Sequence, residues 1–216
     1  MKRTVFASFA AMLILSTAVT AQAAHTHEYT KQNSKVYVCE CGKEKPLYSL
    51  KGERVITLNC NGGSLSAERK KVIKAACSLV GKVNYFWGGK SSAIGWDSEW
   101  GKLKTVSVDG SKTTGTKRPF GLDCSGFVTW SFINSGFNAS SIGHGMQGQI
   151  AKCSRISWES VQAGDLAFYG DLSHVGIVAG KDAAGNILVI HCSSGRNNVV
   201  ITTNSGFGFA ARPGCY

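Results

Sequence analysis

The stretch Gly121-Leu122-Asp123-Cys124-Ser125-Gly126-Phe127 decides the reading of this chain of 216 residues, because it sets one cysteine at the start of an apolar helix. Counting on from Cys124, residues Phe127, Val128, Phe132 and Ile133 form the stripe of a helix packed against a core. Asp123 stands as the N-cap of that helix and Gly136 as its stop. Cys124 then occupies the first turn, where unpaired backbone N–H groups and the helix dipole favour an anion. The position matters because only a thiolate is a good nucleophile, and an ordinary thiol near pKa ~8.5 is mostly protonated at neutral pH. The bland alternative is that Cys124 is half of a disulfide.

Downstream, two short strand-like runs each carry a histidine: Ser173-His174-Val175-Gly176-Ile177-Val178 and Ile187-Leu188-Val189-Ile190-His191. An imidazolium at His174 would stabilise a thiolate and later protonate a leaving amine. Strand alternation puts His191 on a face with Val189 and Ile187 and turns Cys192 to the other side. Cys192 is therefore not the nucleophile if His191 lines the site. His191 can orient His174 by accepting from it or donating to it. A cysteine at a helix start with two strand histidines is the inventory of a thiol hydrolase. Histidines at strand ends also serve as satisfied structural residues.

These elements together resemble the NlpC-type cell-wall cysteine peptidases. The resemblance rests on Tyr85-Phe86-Trp87-Gly88-Gly89, on Asp123-Cys124-Ser125-Gly126-Phe127, on Gly164-Asp165-Leu166 leading to His174-Val175-Gly176-Ile177-Val178, and on His191. It covers about residues 66–212 and implies an α+β, papain-like fold, with N-terminal helices packed on an antiparallel β-sheet. It further implies a secreted endopeptidase that hydrolyses peptidoglycan stem peptides, commonly between D-γ-glutamyl and the diamino acid, through a thioester. In that reaction Cys124 attacks, His174 acts as base and then acid, and His191 orients His174. Tyr85, Trp87, Asp123 and Ser125 would grip the stem peptide, and no cofactor is implied. Asp123 has the helix cap as a second reading. Amidases and acyltransferases of the papain-like group, and a non-catalytic wall-binding module, remain alternatives.

The rest of the chain frames this core. Residues 1–23 read as a secretory signal, with Lys2 and Arg3, an apolar run, and Ala21-Gln22-Ala23 as a cleavage site. No cysteine follows that site directly, which argues against a lipid anchor, and no later run approaches a membrane span. The expected location is secreted or envelope-associated, without stable membrane insertion. Losing Lys2 and Arg3 lowers the formal net charge of +11 by two, and the remaining lysines are scattered. No nucleic-acid motif is present, so attraction to an anionic envelope polymer is the more economical reading of the charge. A merely solvated surface is the bland one.

Residues 24–65 form a short extension bearing cysteine and histidine, with strands expected at 35–38 and 54–58. His27, Cys39, Cys41 and Cys60 have the ligand types of a zinc site, although Cys-x-Cys is not the usual knuckle spacing, and disulfides compete with it. Of eight cysteines, one nucleophile leaves an odd number. Cys153, Cys192 and Cys215 could supply one disulfide among them. A helix is expected over 66–81, capped by Ser66, and strands at 166–169, 175–179, 187–192, 199–202 and 206–210. Residues 90–120 interrupt the resembled pattern as an insertion, read as a long loop without secondary structure, of the kind that serves as a lid or a binding loop or is disordered. Trp96 and Trp100 within it either wall the substrate cleft or pack as a local cluster.

Overall fold

The computed structural model describes residues 65–182 and 185–216, together with three short strands earlier in the chain. Those strands, β1 (Tyr29–Lys31), β2 (Val36–Cys39) and β3 (Glu44–Pro46), form an antiparallel sheet in the order β1-β2-β3. β2 answers to the strand expected at 35–38. The strand expected at 54–58 and the side chains of His27, Cys39, Cys41 and Cys60 lie outside the described residues.

The elements that follow are α1 (Ala67–Ser78), β4 (Leu103–Thr105), β5 (Lys117–Pro119), α2 (Cys124–Ile133), α3 (Ala139–Ile142) and α4 (Gly145–Ile150). Then come β6 (Cys153–Ile156), β7 (Leu166–Phe168), β8 (Val175–Lys181), β9 (Ile187–Ser193), β10 (Asn198–Thr203) and β11 (Phe209–Pro213). The six C-terminal strands make one sheet in the order β10-β9-β8-β7-β11-β6, every neighbouring pair antiparallel. With the helices packed on it, the fold is α+β.

Ser66 caps α1 as its sequence suggests, its hydroxyl accepting from the Arg69 N–H at 3.3 Å. The helix ends at Ser78, short of residue 81; Leu79 and Val80 still bury in the turn that follows. α2 is the centre of the molecule: every residue from Cys124 to Phe132 is buried. Its apolar residues lie all round because α1, the sheet and α3 surround it. Ser131 and Thr129 are tolerated there because each hydroxyl donates to a backbone carbonyl, of Phe127 and Gly143 respectively.

One sheet face, with Phe168, Ile177, Ile190 and Cys192, joins this core; the other carries Ala167, Val178, Val189 and, in the loop before β11, Phe207. β11 starts three residues later than the run at 206–210, because Phe207 packs as a loop residue and Gly208 donates to Phe168. β6 has no counterpart in the sequence reading: it is a sheet edge with mostly exposed side chains and carries little apolar alternation.

A buried carboxylate ties the layers together. Asp165, wholly buried just before β7, accepts from Arg69 of α1 at 2.9 Å and from Arg212 of β11 at 2.9 and 3.1 Å. The Gln162 N–H adds a fourth hydrogen bond at 2.8 Å.

The insertion is not a structureless loop. β4 and β5 pair as an antiparallel hairpin within it, with Leu103 opposite Pro119. Trp100 is buried against Trp130 of α2, ring centroids 5.5 Å apart, and Trp96 stands edge-on over Trp100 at 4.9 Å. The tryptophans thus form a local cluster that roots the insertion in the core.

Candidate active site

The turn at 85–89 is stitched to the residues leading into α2. Leu122 N–H donates to Asn84 and Phe86 N–H to Leu122, and the Asp123 N–H donates to the Gly89 carbonyl at 3.0 Å. Tyr85 and Leu122 form a parallel bridge. This contact demands glycine, since a Cβ on Gly126 would run into the Gly89 carbonyl and one on Gly89 into that of Gly121. The Trp87 indole N–H reaches the Asp109 carbonyl at 2.9 Å and so pins the insertion to the same turn.

Cys124 opens α2 with its side chain almost fully buried. Burial, and then the Asp123 carboxylate, push its thiol up to about 11; N–H groups of Val175 and Ser125 and the Lys90 ammonium pull the other way. The resting sulfur is therefore a neutral thiol, not the stored thiolate that a helix N-terminus alone would favour. β8, which begins directly after His174, packs against α2, the helix that Cys124 opens, and its first N–H, that of Val175, is among the groups acting on the sulfur.

Asp123 caps α2 by accepting from the Gly126 N–H at 2.6 Å. It also accepts from the Lys90 ammonium at 2.6 Å on each oxygen and from the Ser125 hydroxyl at 2.9 Å. Lys90 donates to Ser125 as well, at 2.6 Å. All three donors of that ammonium are thereby aimed at one small cluster. Asp123 and Ser125 are thus already held by a cation from within the chain.

The two histidines stand edge-on, with His174 Nε2 2.7 Å from His191 Nδ1. His191 Nε2 is 3.1 Å from the Thr202 hydroxyl, which donates to the Thr203 carbonyl at 2.9 Å. The donor and acceptor roles along this run follow once the Thr202 proton is placed toward the Thr203 carbonyl. The Thr202 oxygen, having given its proton away, accepts from His191 Nε2–H; His191 Nδ1 then accepts from His174 Nε2–H. His174 Nδ1 is left with a free lone pair. Burial lowers His174 to about 4, opposed by Asp123, and burial with the neighbouring His174 and Arg196 charges lowers His191 to about 3. Both rings are neutral at pH 7.

The structure bonds His174 to His191, and Asp123 and Ser125 to each other and to Lys90, while Tyr85 and His174 both feel the Asp123 charge. Burial is the main cause that raises the Tyr85 phenol, and charges at Cys124 and Asp123 add to it. Trp87 sits in the same turn, whereas Trp96 and Trp100 line neither cavity beside the site. One cavity, about 330 Å³, includes Lys90, Gly126, Thr129 and His144 in its walls. Three residues escaped the sequence reading. Lys90 had a signal, its place directly after Gly89. Thr202 had only its position on a strand beside β9, and Gln149, buried and donating to the Ser125 carbonyl at 2.8 Å, had none.

Cys77, Cys124, Cys153, Cys192 and Cys215 are all free thiols. The disulfide expected among Cys153, Cys192 and Cys215 is therefore not formed. Cys192 cannot serve it because its sulfur is buried beneath the α2 entry, 3.1 Å from the Leu122 carbonyl. Among the described residues no group of three or more His, Cys, Asp or Glu is placed to hold a metal ion, and no helix is long and apolar enough to cross a membrane.

The NlpC/P60 family model matches residues 81–212. The chain is 29% identical over 132 residues to "Probable endopeptidase Rv2190c" of Mycobacterium tuberculosis, covering 59% of this chain and 24% of that one. It is 36% identical over 73 residues to "Bifunctional muramidase/DL-endopeptidase CwlT" of Bacillus subtilis, covering 31% and 21%. It thus spans about a quarter of the length of the curated relatives it matches. Similar solved structures include the peptidoglycan hydrolase RipB of M. tuberculosis, with TM-score 0.48, 23% identity and coverage of 76% and 80%. Another is RipD of the same organism, a non-catalytic NlpC/p60 domain protein, with TM-score 0.46, 16% identity and coverage of 70% and 99%.

Proposed function

Because the chain belongs to the NlpC/P60 family, we propose that it is a cysteine endopeptidase of peptidoglycan stem peptides, acting outside the cytoplasm. The observation that carries this reading is the hydrogen-bonded run Thr202–His191–His174, which leaves a ring nitrogen free at the start of β8, the strand packed against the helix that Cys124 opens. Relatives named as endopeptidases support it.

In this mechanism the neutral pair is activated as the substrate arrives. His174 Nδ1 takes the thiol proton while Cys124 sulfur bonds to the scissile carbonyl carbon. The oxyanion is met by backbone N–H groups of the first turn of α2, where the dipole also favours it. When the tetrahedral species collapses, the C–N bond breaks and the leaving amine takes the proton from His174. A thioester remains on Cys124. Water, deprotonated by His174, then attacks the thioester and releases the acid and the free thiol. His191, accepting from His174 Nε2–H throughout, holds the ring in one tautomer and orientation. The bond between D-γ-glutamyl and the diamino acid is the proposed target, with Tyr85, Asp123 and Ser125 contacting the stem.

The test is incubation of the mature protein and of Cys124→Ala with purified muropeptides, with products identified by mass. Loss of a stem fragment with the native protein alone is expected and names the bond. Unchanged muropeptides with both proteins would overturn the endopeptidase reading.

A further inference from the structure

Resting on the peptidase reading, we propose that the insertion at 90–120 builds a substrate subsite that takes a carboxylate of the stem peptide, through Lys112 and Arg118. The site is a cavity of about 520 Å³ with three walls. Tyr85 to Trp87 form the first, the insertion from Val106 to Arg118 the second, and the turn between β9 and β10, at 194–197, the third. Two of these walls come from the catalytic apparatus. Tyr85 is bridged to Leu122, two residues from the nucleophile, and its hydroxyl feels the charge of Cys124. The 194–197 turn is the direct continuation of the strand that carries His191.

The second wall, the insertion, is held in place by the chain itself. Trp87 grips the Asp109 carbonyl, and the Thr114 hydroxyl donates to Val108 at 2.7 Å. Gly115 N–H donates to Val106 at 2.8 Å, closing the loop on itself above the β4–β5 hairpin. A Cβ on Gly88 would collide with Val108, so the turn and the insertion are fitted to each other.

The lining is one-sided in charge. Lys112 and Arg118 face the cavity, no Asp or Glu lines it, and neither cation has an ion pair among the described residues. Arg118 makes one hydrogen bond, to the Thr116 hydroxyl, which leaves most of its guanidinium donors unused. Arg196, in the turn, places a further positive charge near His191. The Ser194 hydroxyl and one of the mutually bonded pair Ser111 and Thr113, 2.8 Å apart, add donors to the lining. A pocket with two unpaired cations and hydroxyls, sharing Tyr85 with the surroundings of Cys124, selects a carboxylate on the segment flanking the scissile bond.

The contrast with Lys90 supports the assignment. That lysine also lies near the nucleophile, but its ammonium is spent on Asp123 and Ser125. Lys112 and Arg118, which line the cavity, have no ion pair among the described residues and keep capacity for a ligand.

The experiment measures binding, so it reads the subsite whether or not the peptidase reading holds. Cys124→Ala protein is titrated calorimetrically with a D-γ-glutamyl-L-lysine peptide bearing free carboxylates, with its fully amidated twin, and with an oligoglycerol phosphate. The free acid is expected to bind roughly tenfold more tightly than the amide, and Lys112→Ala/Arg118→Ala in the same background to remove that preference. The unfolding midpoint of each variant checks that the fold is intact. Equal binding of acid and amide, or a preference that survives the double substitution, would overturn the proposal. Tighter binding of the oligoglycerol phosphate, in competition with the acid peptide, would overturn it in favour of a polyanion site. Hydrolysis of muropeptides by the native protein bears only on the peptidase reading.

Discussion

Two motif aspartates, Asp165 and Asp123, both bind cations, and they do so to opposite ends. Asp165 is wholly buried and takes four hydrogen bonds, three from arginines on elements far apart in sequence. Nothing in that arrangement is free to change without separating α1 from β7 and β11. Asp123 is held by Lys90, whose side chain is 41% exposed, and it adjoins Cys124, whose thiol it raises. Its partners are the cap N–H, a hydroxyl and one lysine on a solvent-facing stem. A carboxylate locked between two arginines is part of the framework; one answered by a single half-exposed lysine can adjust when a substrate enters.

The largest expected effect breaks the first member of the pair. Asp165→Ala leaves the Arg69 guanidinium buried with no counter-charge, and removing one partner of a buried pair costs about 3–5 kcal/mol. Urea denaturation of the variant should show a loss of that order, with residual folded protein still able to react at Cys124. A midpoint within error of the native protein would mean that water replaces the carboxylate at no cost and that Asp165 is not a framework residue.

The next effect concerns the charge state that burial and then Asp123 impose on Cys124. With the thiol pushed up to about 11, the reactive thiolate is a minor species at neutral pH, and its fraction rises as pH rises. Alkylation of Cys124 by iodoacetamide should therefore accelerate about tenfold per pH unit between pH 6 and 9. A rate already flat above pH 6 would signal a stored thiolate–imidazolium pair and would contradict the neutral site.

Asp123→Asn sharpens the comparison with two opposite signs in one variant. Weakening the cap should lower stability by about 1 kcal/mol, well below the Asp165 effect. Removing the negative charge should lower the thiol pKa, because Asp123 raises it and the released Lys90 lowers it. Alkylation at pH 7 should then be faster than in the native protein. Slower alkylation would show that Asp123 serves the thiolate in some way other than through its charge.

What the sequence could show of this follows from range. The α2 stripe, the caps Ser66 and Asp123, and the strands bearing His174 and His191 are local patterns, and each is found at or near its expected place. The buried state of Cys124 was not legible, because it is set by residues that reach it from the sheet and the turn at 85–89. The Lys90 clamp was only half legible: its place directly after Gly89 put it near the motif, but its partners show only once Gly89 is seen docked on Asp123. The insertion was misread as loop because Leu103–Thr105 and Lys117–Pro119 are three-residue strands, mostly exposed and without alternation. Trp100 gave no sign of whether it faced a cleft or Trp130.

The smallest effect tests the far end of the histidine run, where neither aspartate acts. Thr202 fixes the His191 tautomer only because its own proton goes to the Thr203 carbonyl. Thr202→Val keeps shape and removes the acceptor, so His191 loses its reason to carry the proton on Nε2 and can place it on Nδ1, facing His174. His174 would then have to accept at Nε2, and Nδ1 would no longer be free to serve as base. The fraction of molecules in the wrong tautomer depends on one neutral hydrogen bond, worth about 1 kcal/mol. Turnover of muropeptides should fall roughly three- to tenfold in kcat with KM unchanged. Thr202→Ser, which restores the hydroxyl, should recover most of the loss. A valine variant with native kcat would show that His191 is oriented by the walls of Phe207 and His174 alone, and that the hydroxyl beyond it is incidental.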